Sequence, residues 1–209
     1  PGFMLIAVAD SDDGSLALAV SAEEIRTVIY DTEDGSLRYD LSGFSTAAPV
    51  YDSIISRDGS HIIWHSRGTF AVQNAETGEI GKTVSLWDFA SSYTLLPDNQ
   101  TLAVGIINED YENGTVIFFD PETAEETGRA ILGKLAPHEL TCSADGSVLL
   151  AADTTTLYRI DPESHELLDE LTIVEENSGD LRISRIAASP DGTSAAILLS
   201  NGELFIAKQ

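Results

Sequence analysis

Four histidines, one cysteine and several dense groups of carboxylates are the side chains in this 209-residue sequence with the chemistry for catalysis or metal binding. His61 and His65 flank Trp64. Four residues apart on an extended strand, they project to one face and can sit together. Packing or solvation is the expected fate of that pair. His138 and His165 fall in unrelated contexts, and no histidines have the spacing of a zinc ligand set. Cys142 has no second cysteine for a disulfide or a metal cluster and no suggested histidine partner for nucleophilic attack. A buried, inert thiol is expected there. Asp10, Asp12 and Asp13 begin like a calcium loop, but Gly14 comes one residue too early. Glu109, Asp110 and Glu112 place three carboxylates within four residues, which would bind Ca2+ weakly. No cofactor is otherwise expected. Neither a Gly-x-Ser-x-Gly elbow nor a phosphate-binding glycine loop is present. Asn99-Gln100-Thr101 and Asn113-Gly114-Thr115 match the glycosylation acceptor, a pattern common by chance.

The elements that would position these groups repeat along the chain. Five times an apolar stretch runs into a tight turn: Ser11-Asp12-Asp13-Gly14-Ser15, Ser56-Arg57-Asp58-Gly59-Ser60, Leu96-Pro97-Asp98-Asn99-Gln100, Ser143-Ala144-Asp145-Gly146-Ser147 and Ser189-Pro190-Asp191-Gly192-Thr193. Marked at the Gly or Asn, the spacings are 45, 40, 47 and 46. Gly and Asn tolerate positive φ, and Asp can bond the backbone just ahead of it, so each motif predicts a hairpin. A second punctuation lies out of phase with the first: Asp31-Thr32-Glu33-Asp34-Gly35, Asn74-Ala75-Glu76-Thr77-Gly78, Asp120-Pro121-Glu122-Thr123-Ala124 and Asp161-Pro162-Glu163-Ser164-His165, at spacings of 43, 46 and 41. Each unit therefore holds four short strands, a to d, rich in β-branched and aromatic residues. Such a period predicts an all-β chain of five four-stranded antiparallel propeller blades, at 3–44, 49–86, 89–133, 137–173 and 183–209, in a single domain over 1–209. The last blade lacks its strand d. Segment 122–136 has helix-compatible composition, but Gly128 and Gly133 and its place in the repeat predict turn and strand.

Thirty-five acidic residues stand against 11 basic ones, a net charge of −24. That field repels phosphate backbones and anionic membranes, so nucleic-acid binding is not expected. It attracts cations or a basic partner, and it also serves solubility. Only three of the basic residues are Lys, which fits a salt-adapted surface. Apolar content of 43% supports a real core. The longest apolar run, Phe3 to Ala9, is too short to span a bilayer and has no charged leader. The chain opens on Pro1, so a piece of a longer polypeptide is expected.

These units resemble WD40 and YVTN-type propeller repeats. The Ser-Pro-Asp-Gly turn at Ser189–Gly192 carries the resemblance best, followed by an apolar strand, an apolar strand ending in Asp, and the Asp-x-x-Thr-Gly-type turn. Two departures point to divergent prokaryotic repeats. Tyr30-Asp31, Gln73-Asn74, Phe119-Asp120 and Ile160-Asp161 stand where the Trp-Asp pair belongs, and only Pro137-His138 echoes the Gly-His pair. The resemblance implies a binding scaffold more than an enzyme. The incomplete last blade leaves two alternatives: five blades that close by face packing, or an arc of a larger propeller whose open edges invite self-association.

In this fold the d–a and b–c loops share one face. The candidate binding residues gather there: Trp87, Phe89, His138, Glu175 and Glu176 from d–a loops, and Glu109, Asp110, Tyr111 and Glu112 from the longest b–c loop. Aromatics among carboxylates suit a basic or sugar-like partner. The function expected is a non-enzymatic module that presents these loops to a protein, peptide or glycan. It would belong to a membrane-anchored or secreted protein in an extracytoplasmic setting. The alternative is a pore-centred lactonase- or glycosidase-like hydrolase, which needs two or three carboxylates from different blades converging at the pore mouth.

Overall fold

The computed structural model describes residues 5–10, 14–21, 26–40, 52–56, 58–66, 68–86, 90–107, 113–133, 135–175 and 178–208. They contain only strands, turns and bends. Five antiparallel sheets follow one another, each a simple meander. The first comprises β1 (Leu5–Asp10), β2 (Leu16–Ser21), β3 (Arg26–Asp31) and β4 (Leu37–Asp40). The second comprises β5 (Asp52–Ile55), β6 (His61–Ser66), β7 (Thr69–Asn74) and β8 (Ile80–Ser85). The third comprises β9 (Ala90–Leu95), β10 (Leu102–Ile107), β11 (Gly114–Phe119) and β12 (Glu126–Ile131). The fourth comprises β13 (Glu139–Cys142), β14 (Leu149–Ala152), β15 (Thr156–Ile160) and β16 (Leu167–Thr172). The fifth has three strands, β17 (Ile183–Ala188), β18 (Ser194–Leu199) and β19 (Leu204–Lys208). This is an all-β, propeller-type fold with an incomplete last sheet. The segment with helix-compatible composition is a turn followed by β12.

The turn chemistry explains the meander. Gly14, Gly59, Asn99, Gly146 and Gly192, the five repeat markers, all adopt positive φ, between 57° and 74°. In three of these turns the leading Ser and the Asp build one repeated device. Ser143 Oγ donates to Asp145 Oδ1 at 2.7 Å and accepts the Val148 N–H at 3.0 Å. Asp145 Oδ1 also accepts the Ser147 N–H and hydroxyl. Ser56 with Asp58, and Ser189 with Asp191, repeat the pattern. Leu96 cannot, and there Asp98 bonds Gln100 and Thr101 alone. In the second punctuation Asp31, Asn74 and Asp161 each accept the N–H two residues on. The fifth residue takes positive φ whatever its type: Gly35, Gly78, Ala124 at 59° and His165 at 61°. The register of strands c and d slips by one residue beside each of these turns, as an extra residue in a hairpin requires.

These hydrogen bonds hold the turn carboxyls of Asp145 and Asp191 below the usual range. For Asp145 the Ser147 N–H dominates, for Asp191 the Ser189 hydroxyl. A depressed folded pKa contributes stability that is complete above the unfolded value, about 3.9, and is lost as pH falls through the folded value. The expected result is an acid-side loss confined to pH below about 4, against which falling net charge relieves repulsion. Thermal melts of wild type and a D145N/D191N variant from pH 6 downward separate the two. The variant should lose less on acidification; identical slopes would refute this role for the turns.

Residues group into two units, Pro1–Asp88 with Pro121–Glu125, and the remainder from Phe89. In the first unit Ile29 packs with Ile55, Ile62, Trp64, Ala71 and Ala75, flanked by Leu16 and Tyr39. Trp64 Nε1 donates to Gln73 Oε1 at 2.9 Å, and Gln73 Nε2 donates to the Gly78 carbonyl. Gln73 thus ties a core indole to the next turn. In the second unit β14 is buried throughout. Leu149 and Ala151 face a cluster with Ala103, Val116 and Phe118, while Leu150 and Ala152 face one with Ile183, Ile186 and Ile197. Alternate residues point to opposite faces, so a strand packed on both must be apolar without interruption.

Candidate functional site

Seven of the nine candidate binding residues, Trp87, Phe89, Glu109, Asp110, Tyr111, Glu112 and Glu176, lie outside the described residues, as do Asp12 and Asp13. His138 and Glu175 are described. Glu175 is exposed, with its carbonyl accepting the Ser178 N–H. His138 is half-buried just before β13. Its N–H donates to the Ala152 carbonyl at 2.9 Å, and Nε2 lies 3.1 Å from the Ile183 carbonyl. A carbonyl can only accept, so this contact requires the Nε2–H tautomer. His138 therefore ties the start of the fourth sheet to the start of the fifth.

Around it, the loop-side ends of β9 and β17 carry the hydroxyls of Ser91, Ser92 and Ser184. Ser91 and Ser92 both donate to the Pro137 carbonyl, at 2.7 and 2.5 Å, and Ser91 also reaches the Gly105 carbonyl. Gly105 and Pro137 approach so closely that a Cβ on residue 105 would meet the proline carbonyl at 2.7 Å. Beside this knot Glu139 and Arg185, on neighbouring innermost strands, form an ion pair at 2.6 Å. Arg185 Nη1 also donates to the Ser184 carbonyl. The two side chains differ sharply in exposure, 71% for Arg185 and 19% for Glu139. The guanidinium thus offers donors to solvent from a fixed base. A general acid or base needs an available carboxylate, and Glu139 is engaged by a cation.

Sequence reasoning missed this pair, and no local signal reveals two residues that meet across 46 positions. It also missed the buried carboxylate of Asp153, 3% exposed, in the loop between β14 and β15. Asp153 Oδ1 accepts the N–H groups of Thr155 and Thr156 at 2.7 and 2.8 Å, and Oδ2 accepts the Tyr158 hydroxyl at 2.8 Å. Burial first, then this bond and the carboxylate charge, push the Tyr158 pKa well above its ordinary value. Through these bonds Asp153 holds the loop's shape.

The remaining histidines are occupied. His61 Nδ1 lies 2.7 Å from Ser60 Oγ, and His65 stacks on Phe70 at 4.7 Å while the Gly68 N–H points at its Nε2. Four strand steps separate the two by about 13 Å, too far to share an ion. His165 stacks on Phe118 at 4.3 Å. Cys142 is half-buried rather than buried, because it sits on an innermost strand and only flanks the cluster of Leu149 and Phe118. Among the described residues no group of three His, Cys, Asp or Glu side chains is placed to hold a metal.

No family model matches the sequence, and no curated protein matches it. Among solved structures the chain is similar to a chain of hydrazine synthase from Kuenenia stuttgartiensis, with a TM-score of 0.72 and 16% identity. The match covers 93% of this chain and 55% of that one, so this chain spans about half its length. At this identity the likeness shows the fold alone, an all-β propeller-type arrangement.

Proposed function

We propose that this chain is a non-catalytic binding module, a divergent prokaryotic WD40/YVTN-like repeat. It presents its loop face to a protein, peptide or glycan. The observation that carries the reading is the Ser91–Ser92–Pro137 knot beside the Glu139–Arg185 pair. These groups are mutually bonded, and the exposed member is a hydrogen-bond donor. Preorganised donors on rigid strands are what recognition needs, because little ordering entropy is lost on binding. The acidic surface steers a basic partner toward the face. The reading extends to a place within a longer secreted or membrane-anchored polypeptide, with weak Ca2+ binding at 109–112.

The test is a peptide and glycan array on the purified chain, followed by titration of each hit with R185A, W87A and Y111A variants. Each variant should weaken a genuine hit by about tenfold or more while leaving the melting temperature within a few degrees. Turnover of lactone or glycoside substrates that E139Q abolishes would instead establish the pore-centred hydrolase.

A further inference from the structure

Two Asn-Gly pairs lie among the described residues, Asn113-Gly114 and Asn201-Gly202. In such a pair the glycine backbone nitrogen can attack the asparagine side-chain carbonyl carbon, because no Cβ on the second residue crowds the approach. Sequence alone treats the two pairs alike, but their surroundings differ. Asn201 and Gly202 form the tip of the hairpin between β18 and β19, and Ser200, Asn201, Gly202 and Glu203 are all exposed. Asn201 Nδ2 donates to Glu203 Oε2 at 2.9 Å, and the Glu203 N–H donates to Asn201 Oδ1 at 3.0 Å. These two bonds fold the side-chain amide back along its own loop. They also place a donor on the oxygen where negative charge develops during the attack. Gly202 has a φ of 89° and nothing within 4 Å of a would-be Cβ, so the loop is uncrowded there. The Gly202 N–H bonds the Leu199 carbonyl at 2.9 Å, a contact at an exposed tip that opens at low cost.

Asn113 is placed otherwise. Gly114 begins β11 and is buried. Its N–H donates to the Gly133 carbonyl at 2.6 Å, and its carbonyl accepts the Leu132 N–H at 2.8 Å. A Cβ there would collide with the Leu135 carbonyl. Freeing the Gly114 nitrogen therefore means parting β11 from the segment that follows β12, against bonds on both sides of the residue. The other described asparagines, Asn74 and Asn99, precede Ala75 and Gln100, which carry the crowding Cβ. Ala75 is also buried, with its N–H bonded to the Ser60 carbonyl at 2.8 Å.

We propose that Asn201 is a site of spontaneous covalent modification set up by its own hairpin, while the third sheet protects Asn113. The Gly202 nitrogen gives up its proton and bonds to Asn201 Cγ. The bond from Cγ to Nδ2 then breaks, and that nitrogen leaves as ammonia, carrying the proton. Water opens the resulting cyclic imide at either carbonyl, which yields aspartate or isoaspartate. The net reaction consumes water and releases ammonia, with no oxidation or reduction. Either product replaces the amide donor at residue 201 by a carboxylate beside that of Glu203, so like charges meet where a hydrogen bond stood.

The test incubates the full 209-residue chain in warm, mildly alkaline buffer, once native and once unfolded in guanidinium chloride. Peptide mapping that separates aspartate from isoaspartate then gives the conversion rate at each asparagine. In the unfolded chain both Asn-Gly pairs have lost their surroundings, and they should convert at comparable rates. In the native chain Asn201 should outrun Asn113 by about tenfold or more, since the sheet must open before the Gly114 nitrogen is free. Equal native rates, or faster native conversion at Asn113, overturns the proposal. So does an Asn201 that converts when unfolded but stays intact in the native chain. A tenfold difference already present in the unfolded chain also overturns it, because the selectivity would then belong to the neighbouring sequence and not to the fold.

Discussion

Replacing Asp153 by alanine should destabilise the protein by about 3–5 kcal/mol. The carboxylate is 3% exposed and accepts two backbone N–H groups and the Tyr158 hydroxyl. Alanine strands all three donors in a space closed to water, and each stranded group costs about 1–3 kcal/mol. For a chain of this length the loss corresponds to a fall in melting temperature of about 10 °C. Tyr158→Phe removes one donor and leaves Asp153 Oδ2 without that bond, so it should cost about 1–3 kcal/mol, less than the alanine variant. A double-mutant cycle of the two should give a clear coupling energy, since D153A/Y158F no longer carries the stranded hydroxyl. The pair also predicts alkaline behaviour. The folded pKa of Tyr158 is raised, so its contribution is complete below the unfolded value, about 10, and is lost as pH climbs above it. The Y158F protein should lose that extra sensitivity above pH 10. A D153A protein as stable as wild type would show that water reaches the loop and satisfies the donors.

Gly114→Ala should cost about 3 kcal/mol, for a reason unrelated to glycine's flexibility. A Cβ at residue 114 would collide with the backbone carbonyl of Leu135. The Gly114 backbone cannot yield freely. Gly114 N–H donates to the Gly133 carbonyl at 2.6 Å, and the Gly114 carbonyl accepts the Leu132 N–H at 2.8 Å. Gly35→Ala is the natural control. Residue 35 sits at a φ of 70° with nothing within 4 Å of a would-be Cβ, so its cost is conformational alone, about 1 kcal/mol. Urea melts of both variants should therefore differ by about 2 kcal/mol. Equal losses would mean that the chain around Leu135 moves aside, and the tight approach would carry no weight.

The two residues contrast in how far each announces itself. Gly35 closes an Asp-x-x-x-Gly turn, and its positive φ was legible because the turn's hydrogen bonds run between residues a few positions apart. The same holds for Ser143 with Asp145, and for the repeat that predicted the sheets. Ala124 and His165 obey the same geometry without the favoured residue type, because the bonds of the flanking hairpin hold them there. Gly114 gave no such signal. Its requirement comes from Leu135, which belongs to the connection leading out of the same sheet.

The candidate site divides along the same line. Local chemistry, meaning turn dipeptides, strand period and charge, is enough to specify an acidic all-β chain of repeated meanders, because each such preference acts within a few residues. Which side chains meet was decided only when the sheets packed. Glu139 reaches Arg185, His138 reaches the Ile183 carbonyl, and Ser91 and Ser92 share the Pro137 carbonyl, each across about one repeat period. The repeat tells that such residues lie on successive innermost strands. It is silent on which of them bond, since that depends on strand stagger and side-chain reach, which no local preference encodes.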